Sequence, residues 1–272
     1  MTKIFRLFTL FALVLVTGGC ARNYYNVPPE TYGNKVRILG VAPIFVDPES
    51  DIRHPQKDEV VALMKDYSRR NEKQLVSMIK DTGTYFAVRL LDVDPEKTFS
   101  DLFFRRERRD DAGIQYNKYF FKQKELADLI TRHNLDAVMV VTVSGITKRD
   151  RMFSNNLIKY LDSDYNYMIL TAQILDAEGN LLWEYPNFRQ RLVTFPSLMS
   201  LQYPDFDEAA ANLDERVDVK FKTVAGLKRA LEQKDKDMFL RQKPVSNDFG
   251  RIFDDVVSLL KLDIGERKVE KK

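Results

Sequence analysis

The chain has few of the residues on which metal sites, disulfides and catalytic centres depend. Its 272 residues include one cysteine, Cys20, and two histidines, His54 and His133. A structural or catalytic zinc site takes three or four ligands, and neither a Cys-x-x-Cys nor a His-x-x-Glu-His spacing is present. A single cysteine excludes an internal disulfide. We therefore expect no metal and no cofactor.

Short motifs for nucleophilic and phosphate chemistry are also missing. The sequence contains no Gly-x-Ser-x-Gly elbow, no Gly-x-x-x-x-Gly-Lys loop and no Gly-x-Gly-x-x-Gly loop. Asp162 and Asp164 could form an acid–base pair or a calcium site, but no glycine-containing ligand loop surrounds them. We predict no catalytic residue and a protein that is not an enzyme, with an exported hydrolase as an alternative.

The first twenty residues have the order of an export signal. Lys3 and Arg6 precede a run from Leu7 to Val16 in which only Thr9 is not apolar, and Thr17-Gly18-Gly19-Cys20 follows. Positive charge, a short apolar run and small residues are typical of a secretory signal. The run is shorter than the roughly 20 residues that span a bilayer.

The end of this segment resembles a bacterial lipobox, although Thr17 stands where that motif most often has leucine. The resemblance implies that residues 1–19 are removed and that Cys20 is the lipid attachment site, which would anchor the chain to the membrane. An ordinary signal peptide with a chance cysteine is the alternative. In similar Gram-negative lipoproteins, a residue other than aspartate after the cysteine, here Ala21, implies the periplasmic face of the outer membrane.

The charge balance excludes a basic nucleic-acid binder. The chain has 43 Lys and Arg against 40 Asp and Glu, and without Lys3 and Arg6 the count is 41 against 40. A nucleic-acid partner usually selects a clear excess of positive charge. We therefore expect no nucleic acid among the partners.

The pattern of apolar residues predicts one α/β domain with a mixed sheet and helices packed against it. Its elements follow the order β-α-β-α-β-β-β-α. The predicted organisation is a signal peptide (1–19), a lipidated tether (20–35), the α/β domain (36–265) and a charged tail (266–272). Three excursions interrupt the domain, at 92–122, 146–164 and 187–243.

Details of this prediction can be checked against a structure. Pro28-Pro29 disfavours a helix in the tether, whose tyrosines we expect to dock on the fold. Ser144-Gly145 is expected to end the third strand, and Gly179 to turn the last hairpin with a positive φ. The residues expected in the core are Val138, Val140, Ile169, Leu170, Trp183, Phe253 and Val257.

One stretch of the pattern resembles a known envelope group. VRILGVAPI, a long helix, YFAVRLL, ELADLITRHNLDAVMVVTVSGI and YMILTAQILDAEGNLLWE follow one another between residues 36 and 186. This order is similar to the small α/β domain of the TolB N-terminal domain, of lipoprotein activators of penicillin-binding proteins and of the curli secretion channel lipoprotein. The resemblance implies a non-enzymatic protein that binds or assembles with envelope partners, and it leaves self-association open.

The sharpest charge feature lies in the first excursion. Arg105, Arg106, Arg108 and Arg109 occur within five residues, and Tyr116 and Tyr119 follow shortly after. Guanidinium groups favour carboxylate and phosphate partners, and aromatic rings supply apolar contact area. These six residues are the candidate partner-binding site, with a solvated or disordered loop as the alternative.

A subunit of an outer-membrane secretion channel is the remaining alternative. Proteins of the curli channel type carry membrane-spanning hairpins near the equivalents of 146–164 and 187–206. Here the first segment contains Lys148-Arg149-Asp150-Arg151 without sustained alternation, and the second contains Pro196 and Pro204. Both therefore look too short or too broken to cross a membrane, which takes about 9–11 alternating residues per strand.

Overall fold

The fold is taken from a computed structural model, which describes residues 23–190, 193–213, 216–234 and 246–262. The predicted signal peptide, Cys20 and the charged tail lie outside the described residues. Within them, the predicted α/β class is confirmed.

Seven strands of the described chain form one mixed sheet. They are β1 (Ile38–Val41), β2 (Phe45–Asp47), β3 (Ala87–Leu90), β6 (Ala137–Phe153), β7 (Tyr160–Leu175), β8 (Leu181–Tyr185) and β9 (Ser197–Ser200). Two small antiparallel pairs lie outside it, namely β4 (Phe103–Asp111) with β5 (Ile114–Phe121), and β10 (Gln202–Pro204) with β11 (Val219–Phe221).

The helices of the described chain connect or cover these strands. They are α1 (Pro29–Lys35), α2 (Lys57–Asp81), α3 (Pro95–Leu102), α4 (Gln123–Arg132), α5 (Phe206–Ala211), α6 (Val224–Glu232) and α7 (Asn247–Ser258). The series β1, α2, β3, α4, β6, β7, β8, α7 reproduces the order that the sequence predicts.

The sheet combines crossover connections with hairpins. β1 pairs in parallel with β3 and with β6, and α2 and α4 provide the crossovers. β7 then pairs antiparallel with β6 on one side and with β8 and β9 on the other. Long α-helical crossovers are required because parallel neighbours cannot be joined by a tight turn.

Alternating residues of the central strands face two different layers. Met139, Val141 and Leu170 belong to a core cluster that also contains residues of α2, α6 and α7. Val138 and Val140 pack instead with residues of α3 and α4 on the opposite face. Strands covered on both faces are continuously apolar, which explains the run AVMVVTV. All seven residues expected in the core are buried.

Two local expectations failed for identifiable reasons. Pro28-Pro29 does not prevent a helix, because Pro29 is the first residue of α1, where a missing N–H removes no hydrogen bond. Ser144 and Gly145 do not end a strand, because β6 continues to Phe153. Gly179, by contrast, has φ of 79° as expected, and Tyr25 and Tyr32 are buried against the fold.

The excursions are also more regular than the sequence suggests. Residues 92–122 contain α3 and the β4–β5 hairpin, and α3 starts with Asp94 capping the Lys97 N–H at 2.7 Å and Pro95 in the first turn. Residues 146–164 belong to the paired strands β6 and β7 and the turn between them. Both excursions therefore consist largely of helix and strand.

Candidate functional site

The structure brings all six predicted site residues together on the β4–β5 hairpin. The hairpin packs over the sheet face that also carries α4, where its Asn117 amide donates to Ser144 Oγ at 2.9 Å and to the Gly145 carbonyl at 3.1 Å. Its strands pair from Phe103–Phe121 to Asp111–Ile114. The four arginines thus stand on a regular strand, β4, which directs successive side chains to opposite faces.

Arg106 and Arg108 turn toward the body of the protein. Arg106 forms an ion pair with the buried Asp47 and donates to the Glu49 carbonyl at 2.9 Å. Burial alone would lower the pKa of Arg106, but the neighbouring Asp47 carboxylate outweighs it and keeps that pKa above its usual value. Arg108 donates to the Thr147 carbonyl at 2.5 Å. These two arginines attach β4 to the sheet.

Arg105 and Arg109 point the other way and are 55% and 44% exposed. Glu107 lies between them and pairs with both, at 2.9 Å and 2.5 Å. The Arg105 guanidinium also lies 4.4 Å from the centroid of the Phe120 ring, which is a cation–π distance. The outward face of β4 is therefore a partly neutralised basic patch.

Tyr116 and Tyr119 are buried and belong to the packing of the hairpin. The Tyr119 hydroxyl donates to Asp47 at 2.8 Å, and burial together with that carboxylate raises the Tyr119 pKa. The Tyr116 hydroxyl donates to Asp111 at 2.8 Å, and its ring packs 5.3 Å from that of Phe188. Of the six predicted residues, Arg105 and Arg109 present the outward surface, while the two tyrosines are held inside.

A second exposed element emerges from the same sheet and was missed by the sequence analysis. β6 and β7 stay paired as far as Phe153 and Tyr160, whereas β2 stops opposite Ser144 and β9 stops opposite Tyr167. Residues 148–165 therefore continue as a two-stranded ribbon, here called the arm. Six residues in each strand give it a length of about 20 Å.

The two strands of the arm carry opposite charges on one face. Arg151 donates twice to Asp162, at 2.8 Å and 2.9 Å, and Arg149 stands opposite Asp164 in the register. All four of these side chains are exposed. Asp162 and Asp164 thus stand opposite arginines on an exposed strand surface.

The tip of the arm is apolar. Phe153, Leu157, Ile158 and Tyr160 are 51%, 74%, 78% and 54% exposed, and they account for half of the large hydrophobic side chains exposed in the described chain. The Phe153 and Tyr160 rings lie 5.8 Å apart across the last pair of the ribbon. Asn155-Asn156 between two apolar pairs was the sequence signal for this turn.

The segment before α1 covers the outer edge of the sheet. Tyr25 forms a bridge with Trp183 of β8, and the Asn26 N–H donates to the Leu182 carbonyl at 2.8 Å. This bridge is antiparallel, so the chain runs from Asn23 in the direction opposite to β8. β8 itself runs toward the arm, because it is antiparallel to β7. Asn23 is therefore at the end of this segment that lies nearer the arm.

The two histidines have structural surroundings. His54 Nδ1 accepts from the Gln56 N–H at 3.0 Å, so Nε2 donates to the Lys222 carbonyl at 2.7 Å. His133 is the C-terminal cap residue of α4. Across the described ranges, no group of three or more His, Cys, Asp or Glu side chains is arranged to hold a metal ion. None of the helices found there has the length and apolar character to cross a membrane.

Comparison with known proteins gives a coarse result. No protein-family model and no curated protein matches the chain. Among solved structures, the PelC dodecamer from Paraburkholderia phytofirmans is similar at 10% identity over 55% of this chain and 68% of that one, with a TM-score of 0.26. A putative neuraminyllactose-binding hemagglutinin homolog from Helicobacter pylori shares 6% identity over 85% and 87%, with a TM-score of 0.32.

TM-scores of this size assign neither a fold family nor a function. The resemblance to the TolB and curli group therefore stays a prediction.

Proposed function

We propose that this chain is a lipid-anchored protein of the bacterial cell envelope, held by Cys20 at the periplasmic face of the outer membrane, that acts by binding an envelope partner without catalysing a reaction. The observation that supports a binding role is the arm. It extends about 20 Å from the sheet and is paired along its whole length. A stiff projecting ribbon is suited to reach another molecule.

The chemistry of the arm fits a protein partner. Its exposed face alternates Arg149 and Arg151 on one strand with Asp162 and Asp164 on the other. Charges of both signs in a fixed pattern favour a complementary surface and disfavour others, so they provide specificity more than affinity. No described strand pairs with the outer edges of the arm, and such edges are templates for an added strand.

The partner contact is tested by shortening the arm in cells. Replacing residues 149–164 with Asn-Gly would join Lys148 to Tyr165 by a two-residue hairpin turn and leave the buried Tyr165 in place. We expect the shortened protein to fold and reach its membrane, but to lose the partner captured by cross-linking and mass spectrometry. Equal capture by the shortened and the native protein would rule out the arm as the contact.

The exposed arginines of β4 provide a matched comparison on a second surface. Arg105→Ser combined with Arg109→Ser removes the outward charges but leaves the inward pairs of Arg106 and Arg108 intact. If β4 also contacts the partner, capture falls, most strongly at low salt where screening is weak. Unchanged capture assigns the contact to the arm alone.

The anchor is tested separately at Cys20. Cys20→Ala removes the thiol that would be lipidated, so we expect the protein to leave the membrane fraction or to retain its signal. Normal processing and membrane attachment of this variant would contradict lipidation. Density-gradient separation of the native protein checks the outer-membrane assignment, and recovery with the inner membrane would overturn it.

A further inference from the structure

We infer that the tip of the arm inserts into the headgroup region of an anionic lipid bilayer and gives the protein a second membrane contact besides the lipid on Cys20. This inference rests on the proposed function, because it uses the same arm and the same anchor. The tip recognises a lipid surface.

The exposed apolar side chains of the tip lie close together in the sequence. Phe153, Leu157, Ile158 and Tyr160 lie within eight consecutive residues, whereas the other large exposed apolar side chains are spread over separate parts of the fold. Single exposed apolar residues need no explanation, but a contiguous group marks a contact with a membrane or a partner. The tip therefore has the character of a contact surface.

The composition of the tip favours lipid as the molecule that this surface contacts. Aromatic residues such as Phe153 and Tyr160 are suited to the boundary between headgroups and acyl chains. Lys159 is exposed between Ile158 and Tyr160 and supplies a basic group at the tip, whereas Arg151, which stacks over the Tyr160 ring at 4.3 Å, is already paired with Asp162. Long basic side chains next to an apolar group can keep their charge among lipid phosphates while the apolar atoms insert.

The position of Asn23 and the direction of the arm allow one bilayer to contact both the anchor and the tip. Asn23 is at the end of its segment nearer the arm, and Cys20 precedes it by three residues in the sequence, so Cys20 can lie at most about 10 Å from Asn23. Tyr185 of β8 stands opposite Ala172, and the tip begins at Tyr160, which is about 40 Å farther along β7. Both contacts can touch one membrane only if the arm is strongly inclined toward its surface.

Hydrogen bonds within the turn at the tip fix its conformation before any contact forms. Ser154 and Lys159 form a backbone hydrogen bond of 2.9 Å, and the Leu157 N–H donates to the Ser154 carbonyl at 2.8 Å. Leu157 has φ of 59°, a backbone conformation that leucine rarely adopts. Because these bonds fix the turn, little order has to be gained when the apolar side chains enter the lipid.

A fluorescent label at the tip tests the inference directly. In the mature chain with Cys20→Ser no other thiol exists, so Ile158→Cys carries an environment-sensitive fluorophore at one site. Vesicles of phosphatidylethanolamine and phosphatidylglycerol should raise its emission severalfold and shift it to shorter wavelength. Phe86→Cys is the matched control, because Phe86 is 80% exposed on a different part of the fold.

Three results would overturn the inference. The Ile158 label could show no change with vesicles, or the Phe86 label could respond as strongly. The third is an emission change that grows with protein concentration in the absence of vesicles, which would make a second copy of the chain the occupant of the tip.

A tip variant separates this inference from the proposed function. Leu157→Ser with Ile158→Ser changes two exposed side chains and should reduce partition onto the vesicles by about tenfold or more, while capture of the protein partner by the arm persists. Unchanged partition would refute the lipid contact even if shortening the arm abolishes capture. Reduced partition together with capture that survives shortening would refute the protein contact and keep the lipid contact.

Discussion

Arg106→Ala is expected to destabilise the protein much more than Arg105→Ala, although both residues belong to the same run of arginines. Asp47 is 3% exposed, and its carboxylate accepts from Arg106 and from the Tyr119 hydroxyl. Removing Arg106 leaves a buried negative charge without its cation, which typically costs about 3–5 kcal/mol. Because Arg106 itself is 27% exposed, water can solvate the Asp47 carboxylate in part once the guanidinium is removed. We therefore expect Arg106→Ala to lower the free energy of unfolding by ~2–4 kcal/mol.

The measurement is urea unfolding of both variants, supported by thermal unfolding. A loss of ~2–4 kcal/mol corresponds to a fall in melting temperature of about 5–15 °C for a domain of this size, whereas Arg105→Ala should change the free energy of unfolding by roughly 0.5 kcal/mol or less. The double variant with Asp47→Asn and Arg106→Ala should lose about 1.5–3 kcal/mol less free energy of unfolding than the sum of the losses of the two single variants. If the two arginine variants differ by less than about 0.5 kcal/mol, the ion pair has no structural role.

Three further predictions concern the sheet and one of its turns. Leu170→Ala should lower the free energy of unfolding by about 2–5 kcal/mol, measured by urea unfolding, because the side chain is fully buried in a central strand; a loss below 1 kcal/mol would contradict this packing. Gly145→Ala should cost about 1–3 kcal/mol in the same assay, since a Cβ there would lie 2.6 Å from the Asp51 carbonyl oxygen, and a neutral result would mean that the loop shifts freely. Burial would raise the pKa of Asp176, but hydrogen bonds from Lys35 and Asn180 hold that pKa below its usual value. The contribution of the ionised carboxylate to the free energy of unfolding is therefore complete above about pH 4 and is lost as the pH falls through the lowered pKa. Asp176→Asn should therefore lower the free energy of unfolding at pH 7, and the variant and the native protein should differ less near pH 2. If the difference in free energy of unfolding does not change with pH, the ionisation of Asp176 does not stabilise the fold.

Elements with a clear apolar period could be predicted from the sequence. The long helix that the sequence predicts after the first strand spans Lys57–Asp81, and the return strand of the predicted hairpin spans Leu181–Tyr185. In both, the periodic pattern arises because one face or both faces are buried against the same core. The order of the main elements followed from these two kinds of period.

The arm could not be predicted in the same way, because most of its residues are not buried against a core and so show no regular apolar period. Lys148-Arg149-Asp150-Arg151 forms a strand only because it continues the hydrogen-bonded ladder of Val138–Ile146 with β7. Most residues on the inner face of the arm, such as Met152 and Leu161, are only partly buried, so burial selects no strict alternation of apolar and polar residues there. A charged segment next to a strong strand can therefore be a continuation of that strand.

The six candidate residues share one hairpin, but the sequence does not show which of them face the sheet. The run Arg105 to Arg109 does not itself show that Arg106 meets the buried Asp47, which lies 59 residues away in the sequence. The phase of β4 relative to the sheet decides which arginines are inward, and a one-residue shift would exchange them. The start of α3, by contrast, was readable from Asp94-Pro95, an N-cap followed by a first-turn proline.

The contact between the two ends of the fold affects when folding can finish. The Tyr25 hydroxyl donates to the Leu260 carbonyl at 2.7 Å, across a sequence separation of 235 residues. Next to it, the Trp183 indole donates to the Leu259 carbonyl at 3.2 Å. Contacts of such long range form late, because the intervening chain must first be ordered. If the chain is exported N-terminus first, Tyr25 reaches the periplasm long before Leu260, so the native packing of Tyr25 is completed only after nearly the whole polypeptide has crossed the inner membrane.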